Sequence, residues 1–441
     1  MEVLPLRLSH SRRELGDPRR RRRARAVALG AIAAAVSLVL AGCVGSGSGA
    51  ESTQQASWAL PAKDVTTTLK LWNYQSSPQE KQWWNAAVDS FKKEYPNVTI
   101  QTTIVPYASM TSKLLGSGVS KSIPDGVLYN PADSAKLYEA GIIQDITRGW
   151  SGFADKAKFP SSVIWKSGDK VLSVQGYINT TAIWYNKTIL DKAGVSAPPK
   201  TIEEFGQALA AVKKAGFNGF LLSGQPNGSG EFDFLPWLYA YGQNYGKFDK
   251  ATVEKVFAQF GQWIDAGYIP RDITNNNEGD NGNIFANGQY AFVQNGNWNL
   301  KGARSANYSF EWGVSDFPTG PSGAHGIGGG EGFSVGAGTK YPALVYKFFE
   351  HMLLNKQAQL DILAATGSLP VRSDAAEDPA IQSNPDLTVY AKVVKDLGSR
   401  PNTPKVSDFL NTMGKIWNSF AGGSISASEA ADQVVSQLNN P

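Results

Sequence analysis

The stretch TTLKLWNYQSSPQEKQWWNAAVDSFKKEYPNVTIQTTIV, residues 67–105, changes its apolar period twice. Residues 67–74 alternate and are rich in strand-forming side chains, so they predict a first strand. Residues 80–95 predict a helix, because one face collects Trp84, Ala87, Val88, Phe91 and Tyr95. Pro96 ends that helix, and residues 97–105 predict a second strand. Strand, helix and strand in succession indicate α/β layers.

The same alternation continues along the chain. PDGVLYN (124–130) is a short apolar run, and a helix is expected over 132–140 before a turn at Gly141. Thr201 and Glu204 form a capping box for a helix over 202–215. The C-terminal third predicts helices over 340–355, 356–366 and 426–438. We therefore expect an α/β protein with mostly parallel sheets.

The first 42 residues predict an export signal. Residues 1–25 hold nine arginines, and residues 26–40 carry no charge. The uncharged span is shorter than the ~20 residues that a membrane-spanning helix needs. Leu40-Ala41-Gly42-Cys43 resembles the lipobox of bacterial lipoproteins, which implies that Cys43 carries the lipid anchor and that residues 43–65 contain a flexible tether. A free thiol is the less favoured alternative, and both the general secretory and twin-arginine export routes stay open.

The charge of the chain is concentrated in this leader. The whole chain is +4, but beyond residue 42 there remain 33 basic and 35 acidic residues. This balance gives no reason to expect a nucleic-acid partner. Cys43 is the only cysteine, so disulfides are not expected. About 380 residues are too many for one core and suggest two domains. The 12 Trp and 16 Tyr residues, with only 18% charged residues, suit neutral polar ligands.

Six ordered motifs carry a resemblance to a family. They are YPNVTI after the first helix, IPDGVLYN, YEAGIIQDIT, IWYNKTILDKAGVSAPPKTIEEF, FANGQYAFVQNGNWNL and ATGSLPVRSD. Their order resembles that of the family 1 extracellular solute-binding proteins of ABC importers, the group that includes the maltose-binding protein, over roughly residues 69–438. The resemblance implies a type II periplasmic-binding-protein fold with two lobes and a ligand cleft between them. Lobe one is expected over 66–178 plus 333–387, and lobe two over 179–332 plus 388–441.

A sugar ligand would need aromatic rings for its C–H faces and planar polar groups for its hydroxyls. Trp298 matches a position where maltose-binding relatives have a stacking tryptophan, and Asn295 belongs to the same NGNWNL motif; burial of Trp298 in the core is the alternative. Candidates at the ends of strands, where open α/β sheets bind ligands, are Tyr74, Gln75, Tyr129 and Asn130.

The remaining candidates lie in segments that the resemblance assigns to the hinge and lobe two. Asn179 matches a ligand-contacting position in the family, and Glu331 follows the glycines of GIGGGEG, which are expected to let the backbone approach the ligand. The segment GSGEFDFLPWL is expected to place three further side chains on the wall of lobe two, with a solvated loop as the alternative for the acids: Glu231, Asp233 and Trp237. Leu410 departs from the family pattern, because maltose binders tend to have an aromatic residue there.

Other chemistry finds little support. His325 and His351 belong to no metal-ligand spacing, and DITNNNEGDNGN matches a calcium loop in composition only. GIGGGEG lacks the spacing of a phosphate-binding loop, and no G-x-S-x-G motif is present. We expect no cofactor, no metal and no catalytic residues. A tethered glycoside hydrolase, which needs two placed carboxylates, is the alternative from another class.

The function predicted from the sequence is carbohydrate capture outside the cell and delivery to an ABC permease. We expect a monomer, anchored by lipid to the outer face of the cytoplasmic membrane. Relatives also take glycerol phosphates, which call for arginine or lysine near the cleft. The segments assigned to the cleft are nearly free of both, which favours a neutral oligosaccharide: WNYQSS, LYNPAD, QGYINT and NGNWNL.

Overall fold

The structure is a computed structural model that describes residues 57–440 except 399, 402 and 404. The predicted signal peptide, the lipid anchor Cys43 and most of the predicted tether therefore lie outside the described residues. Within the described part, no helix is both long and apolar enough to cross a membrane.

Strands and helices alternate through most of the described chain. The strands are Thr67–Asn73 (β1), Val98–Ile104 (β2), Gly126–Tyr129 (β3), Ile164–Ser167 (β4), Lys170–Gln175 (β5), Tyr177–Ile178 (β6), Thr181–Asn186 (β7), Asn218–Leu221 (β8), Tyr290–Gly296 (β9), Trp312–Ser315 (β10), Gly326–Ile327 (β11), Gly332–Val335 (β12), Leu369–Pro370 (β13) and Leu397–Gly398 (β14).

The helices grow more frequent towards the C-terminus, as the sequence predicts. They are Pro78–Glu94 (α1), Met110–Val119 (α2), Ser134–Glu139 (α3), Thr147–Gly152 (α4), Lys187–Lys192 (α5), Ile202–Lys214 (α6), Gly228–Tyr239 (α7), Lys250–Asp265 (α8), Asn281–Phe285 (α9), Leu300–Ser305 (α10), Pro342–Phe349 (α11), Lys356–Thr366 (α12), Ser373–Ala376 (α13), Pro379–Gln382 (α14), Pro385–Lys395 (α15), Val406–Ala421 (α16) and Ala427–Leu438 (α17). A π-helical turn, Glu350–Leu354, follows α11.

Two local signals in the sequence act as predicted. Helix α6 begins at the capping box of Thr201 and Glu204, in which each side chain satisfies a backbone N–H of the first turn. Helix α1 begins at a second capping box, formed by Ser77 and Glu80. Its apolar face buries Phe91 fully against the first sheet, so the helical period of residues 80–95 is confirmed.

Two main sheets organise the described chain. The first has six strands in the order β2-β1-β3-β12-β5-β4, and the second has four in the order β10-β7-β9-β8. The α/β class is confirmed, but the expectation of mostly parallel sheets is wrong. Strands β1, β2 and β3 are parallel, whereas β12 runs antiparallel to β3 and β5, and β7 runs antiparallel to β9 and β10.

The direction of β12 follows from where it enters the first sheet. Gly332 at the start of β12 pairs with Tyr129 at the end of β3. The chain thus comes from the second sheet and enters the first sheet beside the C-terminal end of β3. From there β12 can only run antiparallel to β3. Each of the two sheets has its own hydrophobic core. Met352 packs in the core of the first sheet, and Ile381 and Leu387 pack in that of the second.

Two glycines inside helices provide a test of this packing. A Cβ at Gly414 of α16 would lie 1.8 Å from the backbone oxygen of Asn227, whereas a Cβ at Gly116 of α2 would meet no atom within 4 Å. We expect Gly414→Ala to lower the free energy of unfolding by about 1–3 kcal/mol through overpacking. Gly116→Ala should raise it by about 0.5–1 kcal/mol, because alanine favours the helix. Urea unfolding of both variants measures the two signs, and equal effects would contradict the close approach of α16.

Candidate ligand-binding cleft

Three chain segments cross between the sheets and meet at one junction. Tyr177 and Ile178 of β6 pair with β13, and Asn179 exchanges two backbone hydrogen bonds with Gly329, at 3.3 and 2.7 Å. Gly330 has a φ of +108°, and a Cβ there would lie 2.2 Å from the backbone oxygen of Tyr177. The glycines of GIGGGEG therefore let two crossing segments approach each other, whereas the sequence analysis expected them to let the backbone approach a ligand.

The side chain of Asn297 links two of these crossing segments. Its Oδ1 accepts a hydrogen bond from the backbone N–H of Thr180 at 2.9 Å, and its Nδ2 donates to the backbone oxygen of Gly367 at 2.8 Å. The same Nδ2 also lies 3.3 Å from Oδ1 of Asn179. Asn297 is fully buried, and it immediately precedes the predicted stacking residue Trp298. The position of Trp298 is therefore tied to the junction.

Four predicted site residues come together beside this junction. The Tyr74 hydroxyl donates to Oε1 of Glu331 at 2.8 Å, and Asn179 donates to Oε2 at 3.4 Å. Gln75 donates to the hydroxyl of Tyr177 at 2.9 Å. Burial raises the pKa of Glu331 to about 7, although hydrogen bonds from Tyr177 and Tyr74 oppose the shift. The cluster links the end of β1 to two of the crossing segments.

A cavity of about 140 Å³ opens between elements that belong to the two sheets. Tyr74 and Asn130 line it from the ends of β1 and β3, as the strand-end argument predicts. Its lining on the other side includes Asn227, at the N-cap of α7, with Leu410 and Asn411 of α16. Leu410, the departure from the family pattern, thus lies at the cavity.

The sequence analysis missed Tyr107, which also lines the cavity. Its hydroxyl accepts a hydrogen bond from Asn130 at 3.1 Å, and its ring packs edge-on against Tyr74 with centroids 5.2 Å apart. Tyr107 follows the end of β2, so the rule that selected Tyr74 at the end of β1 applies to it equally.

Trp298 is partly buried and lies in a short 3₁₀ turn after β9. Its ring covers Gly296, where a Cβ would lie 2.0 Å from the indole, and the centroid of Phe232 is 6.1 Å away. Gly296 therefore provides the space that the ring occupies. The stacking role of Trp298 stays a prediction.

Arg400 was also missed, and it changes the interpretation of Glu231. The guanidinium donates to both carboxylate oxygens of Glu231, to Oε1 at 3.1 Å, and to the backbone oxygen of Gly328 at 3.0 Å. It also lies over the ring of Phe232 at 5.3 Å. Glu231 is fully buried, and burial raises its pKa while Arg400 opposes the shift. Glu231 is thus the partner of Arg400 and not a free acceptor on the cleft wall.

Two neighbours of Glu231 in α7 lie in the interior of the second core and not on a wall of the cleft. Trp237 is packed among aromatic side chains, and its Nε1 donates to Gln294 at 3.0 Å. Asp233 is fully buried, and it accepts hydrogen bonds from the Ser223 backbone at 2.6 Å and from Gln294 at 3.2 Å. The physical reason is that α7 is covered on all sides, which leaves no exposed face for a ligand.

Two other predicted contacts are also buried. Tyr129 is fully buried and its hydroxyl pairs with Ser334 at 2.9 Å, because all four residues of β3 are buried, on both faces of the strand. Asn295 is fully buried and its Oδ1 accepts from Asn299 at 2.8 Å. Both side chains stabilise the frame of the cleft in this structure.

Comparison with known proteins identifies the class. Residues 86–389 match the family model described as bacterial extracellular solute-binding protein, and the chain belongs to that family. Groups of three or more side chains suited to a metal are not found among the described residues.

Individual relatives are distant in sequence. A Brucella abortus (strain 2308) protein named only as a binding protein is 21% identical, with 78% of this chain and 84% of that protein covered. The multiple sugar-binding protein of Streptococcus mutans is 24% identical, with 62% and 68% covered.

Solved structures share the fold. The GacH receptor of Streptomyces glaucescens, studied unliganded and with acarbose, is 22% identical with a TM-score of 0.75, covering 86% of this chain and all of that chain. Maltose-bound MalE3 of T. maritima is 17% identical with a TM-score of 0.75, covering 84% and 98%. The predicted type II periplasmic-binding-protein fold is confirmed.

The carboxyl of Glu331 should make stability depend on pH. Its pKa is about 7 in the folded protein against an ordinary 4.5, so the folded state binds the proton more tightly than the unfolded state. Its contribution to stability is full below pH 4.5 and is lost as the pH rises through 7. We expect Glu331→Gln to flatten the decline of the unfolding free energy between pH 5 and 7, measured by urea titrations. Glu139→Gln, which changes an exposed carboxyl, should keep the slope of the unchanged protein; equal slopes for both variants would contradict the shift.

Removing one partner of the Arg400–Glu231 ion pair should lower the stability of the protein strongly. Arg400→Met leaves a buried carboxylate without its countercharge and should lower the free energy of unfolding by about 3–5 kcal/mol. The double variant with Glu231→Gln should lose less, because the orphaned charge is removed. Lys136→Met, which breaks an exposed ion pair with Asp408, should cost about 0–1 kcal/mol. A chemical-denaturation cycle measures all four variants, and additive losses would argue against the coupling.

Proposed function

We propose that the protein is a lipid-anchored, extracellular substrate-binding protein that captures a carbohydrate between two lobes and delivers it to an ABC permease. The observation that carries the proposal is the cavity lined by tyrosine and amide side chains from both sheets. Tyr74, Asn130 and Asn227 offer the mixture of rings and planar polar groups that a sugar requires. Relatives named for sugars, including the Streptococcus mutans protein, support a carbohydrate ligand.

The two lobes would be residues 66–178 plus 333–387 and residues 179–332 plus 388–441, with Ile381 and Leu387 at the end of the first range packed on the core of the second sheet. Ligand contacts from both lobes exist together only in the closed form, so a bound sugar shifts the equilibrium towards closure. The permease would recognise that closed form. The junction at Asn297 is suited to act as the hinge, because the side chain of Asn297 connects two of the crossing segments by hydrogen bonds.

The charges of the cleft disfavour a phosphorylated ligand such as a glycerol phosphate. Arg400 reaches the cleft region, but both of its strong contacts are made with Glu231. Lys136 lines the cavity and is paired with Asp408 at 3.0 Å. A phosphate would have to compete with both carboxylates for these bases. An oligosaccharide without phosphate is therefore the ligand that we propose.

Anchoring would place this cleft outside the cell. Cys43 would carry lipid, and the glycine- and serine-rich residues after it would hold the binding protein at the outer face of the cytoplasmic membrane. The protein would act as a monomer, without a cofactor and without catalysis.

Ligand-dependent melting of the purified protein tests this function. At 100 times its dissociation constant, a bound sugar adds about 2.7 kcal/mol of stability, which raises Tm by a few degrees. We expect a shift with an oligosaccharide and none with glycerol phosphates, and we expect Trp298→Ala to abolish it. Trp312→Phe is the matched control and should retain the shift, because Trp312 begins β10 and pairs with Asn186, at the end of β7 that is remote from Trp298.

Two results would contradict the proposal. If only glycerol phosphates raise Tm, the proposed sugar ligand is wrong, although the protein is still a binding protein. Release of shorter sugars during incubation, followed by chromatography, would instead favour the glycoside hydrolase.

A further inference from the structure

Asp133 lines the cavity, and a second carboxylate, Glu278, lies beside it, hydrogen-bonded by Ser229 next to the cavity-lining Gly228. Asp133 ends the 3₁₀ turn Pro131–Asp133 that follows β3 of the first sheet, and Glu278 lies in the loop before α9, which packs on the second sheet. Both are near the hydroxyl of Tyr107: burial raises the pKa of that hydroxyl, and the charges of Glu278 and Asp133 raise it further. Neither acid was among the site residues predicted from the sequence.

Asp133 is only partly satisfied by the protein. It is 9% exposed and lines the cavity, and its Oδ2 accepts a hydrogen bond from the Thr111 hydroxyl at 2.5 Å. Ser407 of α16 lies against the same carboxyl. Its Oδ1, however, is buried without a hydrogen-bond partner among the residues that the structure describes. A buried acceptor of this kind needs a donor.

Glu278 shows the same pattern. The hydroxyl of Ser229 and the backbone of Glu278 itself hydrogen-bond to the carboxyl. Its Oε2 is buried and has no partner within the described part of the chain. Burial raises the pKa of both Asp133 and Glu278, which shows that each charge is costly where it lies.

The nearby bases compensate these two charges only in part: Arg400 lowers the pKa of Glu278, and Lys136 that of Asp133, while each base is paired with another carboxylate. Arg400 is bound to Glu231 through both carboxylate oxygens. Lys136 lowers the pKa of Asp133 from a distance, but its ammonium contacts Asp408. After these pairs are formed, the described cavity region retains an excess of negative charge, to which Glu331 adds when ionised.

We propose that the ligand is a saccharide with a basic nitrogen, an amino sugar, whose ammonium group is held between Asp133 and Glu278. The inference rests on the proposed function and replaces the neutral sugar expected from the sequence. A hydroxyl group also donates hydrogen bonds, but it leaves both buried charges only partly compensated, whereas an ammonium group neutralises charge and supplies three donors. The faces of Tyr74 and Tyr107 add favourable surfaces for a cation.

Titration calorimetry on matched pairs tests the proposal. The probes are glucosamine, galactosamine and the β-1,4 tetramer of glucosamine, each compared with the sugar that carries a hydroxyl in place of the amine. At pH 7 we expect at least one amine to bind at least tenfold more tightly than its hydroxyl counterpart. Asp133→Asn and Glu278→Gln should each reduce that preference to less than threefold, with little change for the hydroxyl sugar.

Controls separate this contact from the general field of the protein. Glu139→Gln removes one exposed negative charge of α3 without releasing a base near Asp133, and it should retain the tenfold preference. Without ligand, Asp133→Asn and Glu278→Gln should melt no lower than the unchanged protein, because each removes a buried and only partly compensated charge while keeping the shape of the side chain. A lower Tm for both would indicate structural partners and would overturn the proposal.

The remaining outcomes are also decisive. Hydroxyl sugars that bind as tightly as their amines overturn the amino-sugar inference and leave the proposed function intact. An amine preference that survives both substitutions overturns the assignment of Asp133 and Glu278. If no saccharide of either series binds, the proposed carbohydrate function fails together with this inference.

Discussion

The two sheets are held in one framework by hydrogen bonds at the junction, and the amide of Asn297 is their centre. A buried amide has four hydrogen-bonding positions, and leaving one unsatisfied costs more than the bond contributes. Asn297 fills three of them with Thr180, Asn179 and Gly367, so its position fixes how two crossing segments lie together. Because Trp298 is the next residue, the same bonds also restrict the position of its indole. Movement between the sheets would have to rearrange this junction.

Charged side chains are paired in the interior and at the surface, but only partly satisfied around the cavity. Glu231 and Arg400 neutralise each other in the interior, and Lys136 pairs with Asp408 where water can reach both. Around the cavity, carboxyl groups remain that the protein satisfies only in part. Their raised pKa values express the cost of holding charge away from water. Such costs persist where a ligand compensates them, which gives the cleft a chemical character distinct from that of the two cores.

Local features of the sequence predicted much of the fold. The capping box of Thr201 fixed the start of α6, and the ends of β1 and β3 pointed to Tyr74 and Asn130, which line the cavity. The end of β2 follows the same strand-end rule, but the sequence analysis did not consider it and therefore missed Tyr107. The sequence analysis expected Glu231, Asp233 and Trp237 on the wall of lobe two. They lie in a helix with no exposed face, and the partners that cover it are distant in sequence.

The sequence by itself determined the class of the elements, the helix boundaries and the family, because these depend on periodicity, caps and motifs within a few dozen residues. Tertiary structure alone decided which polar side chains are free. Arg400 and Glu231 are 169 positions apart, so no local sequence pattern predicts their ion pair. The antiparallel course of β12 likewise depends on the edge at which a returning chain enters the sheet. Pairing and burial are properties of proximity in space, and only the folded chain brings these groups within bonding distance.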